Sequence, residues 1–278
     1  METAKIDFVI TWVDGADPIW YKEKLETLKK QGKTAEEMID NSTSRYRDWD
    51  ILKYWFRGVE KFAPWVNQIH FVTYGHVPDW LNEKHSKLHI VKHEDFIPQE
   101  FRPTFSSHPI EWKVLAKYFD KRENMKKQPG AYFHPGYPLM YFGYNLLEMA
   151  FPRFTGFYTV HGPSPLKKES YRFFWKNEEE LLHRVCCHPF RHKEDISQYV
   201  LREYQKLSGN FVPKNIHKFC RYFNLQPENP ELVKTITKQK SKCICINDSN
   251  FEIPYEKVKQ ELNHAFSILF PEKSQFEK

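Results

Sequence analysis

The sequence contains no apolar run of about 18 residues, the length that a membrane-spanning helix requires, and no leader-like segment precedes its first apolar stretch. It also lacks a disulfide framework, because its 278 residues include only five cysteines, an odd number. These absences exclude a spanning helix and indicate a reducing compartment. We therefore expect a cytoplasmic protein, with peripheral contact at the inner face of the cell membrane as the alternative.

The sequence has no basic stripe, no internal repeat and no low-complexity segment. Its 42 Lys and Arg residues exceed its 36 Asp and Glu residues modestly, which gives a formal charge of +6. This diffuse excess argues against nucleic acid and suits an anionic ligand, an anionic polymer or a lipid surface. The densest basic run, Lys234–Lys242, alternates with polar residues and is typical of a solvated face. Aromatic residues make up 17% of the chain, enough for a core and for aromatic-lined grooves.

The N-terminal stretch predicts a strand, an acidic turn and a helix. Ile6–Val13 is rich in Ile, Val, Phe and Thr and predicts a strand buried on both faces. Asp14 and Gly15 are turn residues, and a helix follows over Ile19–Lys30. Ligands bind at the carboxyl ends of strands in open α/β sheets, so Asp14 and Asp17 are candidate site residues. The alternative is that both carboxylates only shape the turn and cap the helix.

The pattern that follows is typical of a doubly wound α/β sheet. Ile51–Phe62 has its apolar residues at the helical period, and Gln68–Thr73 and Leu88–Val91 predict strands. Strand, helix, strand and strand with short connections indicate an α/β fold. The rest of the chain predicts a loop at Gly130–Gly143, helices at Tyr144–Ala150, Glu169–Val185, Asp195–Leu207 and Pro254–Phe270, and a strand at Cys243–Ile246.

One block near the N-terminus, Thr11-Trp12-Val13-Asp14-Gly15, resembles the opening of the Stealth family. These are the sugar-phosphate transferases of microbial capsule synthesis, to which the animal lysosomal-enzyme GlcNAc-phosphotransferase also belongs. The resemblance continues in order through Arg45-Tyr46-Arg47-Asp48, Leu52-Lys53-Tyr54, Val59–Trp65, Phe71–Gly75, Val77–Leu81 and Val91–Asp95. On these ordered matches the chain is identified as a member of the family.

The resemblance implies a nucleotide-sugar-transferase-like sheet of the Rossmann type with a helical C-terminal part. It implies one catalytic domain over residues 1–278, with an α/β nucleotide-binding half at 1–112 and a mostly helical half at 113–278 that contributes site residues. It also implies transfer of a sugar 1-phosphate from a UDP-sugar to a polysaccharide hydroxyl, and contact with membrane-bound capsule machinery.

Four catalytic residues are carried over from the family blocks. Glu111 matches the last position of Phe-x-Ser-x-x-Ile-Glu, where it would accept a proton from the attacking hydroxyl; otherwise it is a surface Glu stabilised by the helix dipole. His161 and Arg191 match phosphate-contacting positions, with an exposed loop histidine and a surface ion pair to Asp195 as the alternatives. Asp248 matches an Asp that closes the active site, and its alternative is a turn before a helix.

Nucleotide and substrate contacts are implied for residues of the N-terminal blocks. They are Thr11, Trp12, Asp14, Gly15, Arg45, Asp48, Lys53, Thr73 and Gly75.

The chain departs from the family after Trp112, because the Asn-Asp-Asp signature that binds metal is missing and no Asp-Asp pair occurs anywhere. A diphosphate leaving group normally requires a divalent cation, magnesium or manganese, held by oxygen ligands. Asp14, Asp17 and Asp248 are the carboxylates best suited to hold it, if they converge, with Asp248 as the candidate metal ligand. We expect weak or no activity unless another ligand set exists. The alternatives are an impaired relative that binds sugar or nucleotide, and an ordinary glycosyltransferase.

Metal-capable side chains also occur at the end of the helix predicted at Glu169–Val185. They are His183, Cys186, Cys187, His188 and His192. They do not form a CxxC…CxxC arrangement, and adjacent cysteines are commonly core residues, so packing is the alternative to a zinc site.

Overall fold

The computed structural model describes residues 5–32, 47–102, 121–127, 129–133, 135, 139–148, 161–190, 192, 195–196, 198–209, 211–212, 215–248 and 253–278. The chain divides into two compact units. The first unit comprises Met1–Pro103, Phe223–Lys242 and Ile246–Lys278, and the second comprises Thr104–Tyr222 and Cys243–Cys245. The segment Thr34–Ile39, whose sequence predicts a short helix, lies outside the described residues.

The described strands are β1 (Phe8–Trp12), β2 (Ile69–Thr73), β3 (Leu88–Lys92), β4 (Cys220–Asn224) and β5 (Cys243–Asn247). The described helices are α1 (Pro18–Lys30), α2 (Leu52–Phe62), α3 (His93–Phe96), α4 (Lys121–Lys127), α5 (Pro129–Tyr132), α6 (Leu139–Glu148), α7 (Lys168–Asn177), α8 (Glu179–Cys186), α9 (Tyr199–Leu207), α10 (Pro230–Thr237) and α11 (Tyr255–Leu269). None of these helices combines the length and the apolar character that crossing a membrane requires.

The sheet of the first unit is parallel, with the strands in the order β1-β2-β3, which confirms the α/β prediction. Its register pairs Trp12 with Thr73 and Thr73 with Lys92, so three strand ends meet at one edge. The predicted burial of Ile6–Val13 on both faces is wrong. β1 lies at the edge of the sheet that the described residues form, and Phe8 packs on the core while Val9 is 68% exposed on the other face.

The core of the first unit forms between α2 and the sheet, because the apolar face of α2 meets the inward-facing residues of β2. Phe56, Ile69, Phe71 and Leu81 are fully buried there. Each such side chain contributes about 1.5–3 kcal/mol by leaving water, which makes this cluster the main support of the strand ends.

Two elements of the C-terminal region are absent from the prediction. β4 pairs with β5 in a two-stranded sheet, and α10 begins at Pro230. The interpretation of Lys234–Lys242 as a solvated face is confirmed for its lysines, which are all exposed, while α10 buries Leu232 and Ile236 on its other side. The strand and helix predicted near the C-terminus, at Cys243–Ile246 and Pro254–Phe270, are confirmed as β5 and α11.

The second unit contains a core cluster that includes Phe174, Val200 and Leu207. The helix predicted at Glu169–Val185 is divided at the buried Glu178, whose φ of −132° and ψ of 35° end α7. The helix predicted from Asp195 begins only at Tyr199. The loop predicted at Gly130–Gly143 is wrong in part, since α5 and the start of α6 lie within it.

Candidate functional site

The carboxyl edge of the first unit's sheet brings together several predicted nucleotide-binding residues. Thr11 and Trp12 end β1, Thr73 ends β2, and Asp14 and Gly75 follow in the adjoining turns. Parallel strands direct their carboxyl ends to the same edge, which is why residues about 60 positions apart in sequence become neighbours here.

A histidine that the sequence did not single out connects these turns. The backbone N–H of Asp14 donates to His76 Nε2 at 2.8 Å, and His76 Nδ1 lies 3.6 Å from Asp17 Oδ2. Asp14 Oδ1 accepts from the Ala16 N–H at 2.8 Å, and Asp17 Oδ1 caps α1 by accepting from the Trp20 N–H at 2.7 Å. Asp14 thus shapes the turn and Asp17 caps α1, which leaves fewer lone pairs on both for a cation, and their binding roles stay predictions.

The side chain of Thr73 is fully buried beneath the β2 turn. Its hydroxyl donates to the backbone carbonyl of His76, and Gly75 continues the turn with φ +153°. Glycine suits this position because other residues rarely adopt such a φ. Thr73 thus shapes the turn, and its predicted contact with a nucleotide stays a prediction.

Two aromatic groups beside this edge have shifted protonation equilibria. Burial, and then a hydrogen bond to Glu23, raise the pKa of Tyr74. Burial, and then the nearby His76, lower the pKa of His93. Both groups are consequently neutral near neutral pH, and the Trp12 ring stands edge-on to His76 at 5.3 Å between centroids. Beside the carboxylates of Asp14 and Asp17, the edge thus also presents neutral hydrogen-bonding groups and rings, which suit a nucleobase or ribose.

A second cluster of the first unit forms around Asp248, immediately after β5. Arg47 donates from Nη2 to Oδ1 at 2.8 Å and from Nε to Oδ2 at 3.0 Å. Trp49 Nε1 donates to Oδ2 at 3.1 Å, and the Tyr255 ring lies 5.0 Å from the Trp49 ring. The carboxylate therefore has a fixed orientation, and the guanidinium beside it is of the kind that binds phosphate oxygens.

The predicted residues Asp48 and Lys53 take part in the turn that leads into α2. Asp48 Oδ1 accepts from the Asp50 N–H at 2.7 Å, while Lys53 Nζ lies 2.9 Å from Asp50 Oδ2. Tyr255 donates its hydroxyl hydrogen to the backbone carbonyl of Asp48. This turn therefore supports the Asp248 cluster, and direct substrate contacts by Asp48 and Lys53 stay predictions.

In the second unit, His161 is exposed and bordered by aromatic rings. Its Nδ1 lies 3.2 Å from the Tyr199 hydroxyl, and its ring stacks on Tyr222 at 5.3 Å with an interplanar angle of 23°. Arg202 lies over the Tyr199 ring at 4.5 Å. The stacking leaves the imidazole with a defined orientation, as a phosphate-contacting or proton-transferring group requires.

The metal-capable side chains at the end of α8 divide into two groups. His188, His192 and Asp195 each offer a ligand atom within 4.8 Å of the others. Cys187 Sγ instead lies 3.8 Å from His183 Nδ1, and burial, followed by Cys187 and Asp195, raises the pKa of the Cys186 thiol. Part of the predicted zinc ligand set is therefore brought together, with Asp195 in place of the cysteines.

Within the described ranges, Asp14, Asp17 and Asp248 do not form a three-carboxylate group at ligand distances. The hypothesis that these three carboxylates converge on one cation is wrong for this structure. Arg45, Glu111 and Arg191 lie outside the described residues, so their roles stay predictions.

The sequence interpretation missed Arg47, Trp49, His76 and Tyr255. Arg47 stands in the Arg45-Tyr46-Arg47-Asp48 block, two positions from the arginine that was chosen, so the block itself was the available signal. His76 follows Gly75 directly after a strand, which is where site residues concentrate in α/β sheets.

Comparison with known protein families finds three conserved regions of one family in this chain. Residues 4–32 match Stealth protein conserved region 1, residues 45–118 match conserved region 2, and residues 234–278 match conserved region 4. The first contains Asp14 and Asp17, the second contains Arg47 and Glu111, and the third contains Asp248.

The similarity to known proteins extends over nearly the whole chain. The chain is 32% identical to a capsular polysaccharide phosphotransferase WcwK of Streptococcus pneumoniae, covering 98% of this chain and 99% of the relative. It is 29% identical to the receptor polysaccharide phosphotransferase WefC of Streptococcus oralis, over 98% of this chain and 99% of that protein. It is 27% identical to the exopolysaccharide phosphotransferase cps2G of Lactiplantibacillus plantarum, over 98% of this chain and 96% of that protein. The WcwK alignment spans 332 positions against 278 residues here, so at least 54 positions of the relative have no counterpart.

Proposed function

This chain belongs to the Stealth family, and on that basis we propose that it transfers a sugar 1-phosphate from a UDP-sugar to a polysaccharide hydroxyl. The acceptor oxygen attacks the β-phosphorus and forms a new phosphodiester bond. The bond from that phosphorus to the bridging oxygen breaks, UMP leaves, and the acceptor proton passes to a base. Catalysis then consists of in-line alignment and stabilisation of charge on the phosphoryl oxygens.

The observation that carries this proposal is the pairing of Arg47 with Asp248. Two separately matched conserved regions, 45–118 and 234–278, meet through two hydrogen bonds of 2.8 and 3.0 Å. The aromatic rings of Trp49 and Tyr255 lie beside the pair. A guanidinium that a carboxylate holds in place keeps its N–H groups in a fixed plane, a geometry that suits recognition of a phosphoryl group.

We assign Glu111 as the base and Arg191 and His161 as stabilisers of the phosphoryl oxygens. The family blocks support all three roles, and the stacked, hydrogen-bonded ring of His161 adds a structural reason for that residue. We assign the nucleotide to the strand-end edge. The residues proposed to contact it or the sugar are Thr11, Trp12, Asp14, Gly15, Arg45, Asp48, Lys53, Thr73 and Gly75.

A divalent cation, magnesium or manganese, is proposed only from the charge of the diphosphate. The described carboxylates do not fit an oxygen cage, because Asp248 accepts three N–H groups while Asp14 and Asp17 bind backbone N–H groups. Charge stabilisation is therefore assigned to cationic side chains of the protein itself.

We also propose that the reaction takes place in the cytoplasm. The five cysteines are free thiols, which is typical of a reducing compartment. Peripheral contact with membrane-bound capsule machinery stays a prediction.

The experiment that tests this function follows the nucleotide product. The protein is incubated with a panel of UDP-sugars and a capsular polysaccharide, with and without magnesium or manganese, and UMP and UDP are separated chromatographically. We expect UMP release that requires the acceptor and is lost in Glu111→Gln. UDP as the product would favour ordinary glycosyl transfer.

A second measurement distinguishes an impaired relative from an enzyme that lacks its correct acceptor. The melting temperature is recorded with and without UDP and UDP-sugars, because a ligand that binds the folded state raises it by mass action. A shift without any product under all metal conditions would indicate a binding protein. Absence of both shift and product would contradict the nucleotide site.

A further inference from the structure

The segment between α8 and α9 folds two histidines around a buried carboxylate. Asp195 is only 2% exposed, and its Oδ1 lies 2.6 Å from His188 Nδ1. Its Oδ2 accepts the backbone N–H of His192 at 2.8 Å, and the two imidazole rings are 4.5 Å apart between centroids. The three side chains thus share one small volume of the second unit.

The chemistry of this group is that of a transition-metal site. A carboxylate this deeply buried favours a positively charged neighbour, and a metal ion is one group that can supply that charge. Two imidazoles and one carboxylate, with ligand atoms within 4.8 Å of each other, form the donor set of three-ligand zinc sites. Imidazole nitrogen favours zinc and similar ions over magnesium, which prefers oxygen.

We infer that His188, His192 and Asp195 bind one transition-metal ion of the zinc class, with water at the remaining position. This inference does not depend on the proposed function, and the ion is distinct from the cation proposed for the diphosphate. In sequence, Arg191 stands between the two histidines, so the ion would fix both ends of a short segment that carries a predicted phosphate-binding residue.

The nearby cysteines are not part of this ligand set. Cys187 contacts His183, and neither belongs to the three-residue group. The site therefore predicts nitrogen and oxygen ligation without a thiolate, which can be distinguished spectroscopically.

The test uses the full chain stripped of metal with a chelator. Zn²⁺ is titrated in competition with a chromophoric chelator, and Co²⁺ is added separately as a spectroscopic substitute. We expect one ion per chain and a cobalt spectrum of low coordination number without a sulfur-to-cobalt charge-transfer band. Absence of stoichiometric binding of either ion would overturn the inference, as would a strong sulfur band.

Variants assign the ligands. His192→Asn removes the ring but keeps the backbone N–H that Asp195 accepts, and His188→Asn keeps an N–H near the position of Nδ1. Each should weaken Zn²⁺ binding by more than the roughly 10–100-fold that loss of an outer partner costs. The matched control His183→Asn should bind like the unmodified chain. Equal binding by all three variants would contradict the site. If a variant does not fold, the cobalt spectrum of the unmodified chain still tests the inference.

Discussion

Two arginines in the first unit each hold a carboxylate that is about 200 residues away in sequence, yet their surroundings differ. Arg47 binds Asp248 at 2.8 and 3.0 Å, and Arg57 binds Glu277 at 2.6 and 2.8 Å. The side chains of the Arg57 pair are 12% and 3% exposed, whereas those of the Arg47 pair are 23% and 15% exposed. The hydrogen-bond geometry is the same, and the Arg47 pair is the more exposed of the two.

Hydrogen bonds to backbone groups distinguish the Arg57 pair from the Arg47 pair. Arg57 also donates to the Phe270 carbonyl at 2.7 Å, and Glu277 accepts from the Ser274 N–H at 2.9 Å. This pair therefore anchors the C-terminal segment, whose Leu81–Glu277 bridge lies beside the core. The Arg47 pair has Trp49 and Tyr255 around it instead. The two pairs are of one chemical kind in different surroundings, and we propose that only the Arg47 pair takes part in function.

The largest expected effect follows from breaking the Arg47 pair. Asp248→Asn keeps the shape of the side chain but removes the charge that orients Arg47, so turnover should fall roughly 100-fold or more, the scale of losing one preorganised electrostatic group. The melting temperature should change little. Initial UMP release and thermal denaturation are the measurements.

Glu277→Gln is the matched control for that substitution, since it makes the same chemical change at the anchoring pair. It should lower the melting temperature and leave turnover intact. If the two variants lose turnover equally, the functional division between the pairs is wrong.

Breaking the anchoring pair is the next largest effect. Arg57→Met leaves Glu277 buried without its counter-charge and should cost about 3–5 kcal/mol of unfolding free energy. Denaturant titration measures this cost. The double variant Arg57→Met with Glu277→Leu should recover much of it, because neither charge then remains buried. A double variant no more stable than the single one would show that the Met side chain, rather than the stranded carboxylate, causes the loss.

The effect of acid on the stabilisation by the Arg57–Glu277 pair should be smaller. Burial raises the pKa of Glu277, but hydrogen bonds from Arg57 and Ser274 lower it further, so the folded value lies below the ordinary one. Its stabilisation is therefore present above an ordinary carboxyl pKa of about 4.3 and is lost as pH falls through the lower folded value. The stability difference between the unmodified chain and Glu277→Gln should narrow in that acidic window. A constant difference from neutral to acidic pH would contradict this assignment.

Local sequence patterns predicted the elements whose stability is mostly local. α2 and β2 follow from apolar period, and α1 follows from Pro18 and the Asp17 cap. β4 is harder to predict because Cys-Arg-Tyr-Phe-Asn is not an apolar run, and α10 because its eight residues show few repeats of the helical period. α9 begins at Tyr199 rather than at Asp195, whose carboxylate instead binds His188 and the backbone N–H of His192 in the preceding turn.

The candidate site was predictable one residue at a time but not as a set of contacts. Asp248 could be chosen because it follows a strand, while its partner Arg47 is 201 positions earlier and no periodicity connects the two. His76 resembles an ordinary turn residue until the parallel register brings Asp14 beside it. Partners across such distances are set by topology, which a single sequence specifies only through the whole fold.

The smallest effect concerns Gln239, which lies between α10 and β5 in the first unit. Its φ is +49°, and it ends α10 with two backbone bonds, Gln239 N–H to Ile236 O and Lys240 N–H to Thr235 O, each at 3.0 Å. This is the left-handed helix end that glycine normally occupies. Gln239→Gly should therefore stabilise the protein by about 1 kcal/mol, while Gln239→Ala, which keeps a Cβ at the same φ, should not. Turnover should be unchanged in both, because neither substitution alters Arg47 or Asp248. Thermal denaturation of the three proteins measures the gain, and a stabilisation by Ala equal to that by Gly would show that side-chain removal, rather than backbone strain, is responsible.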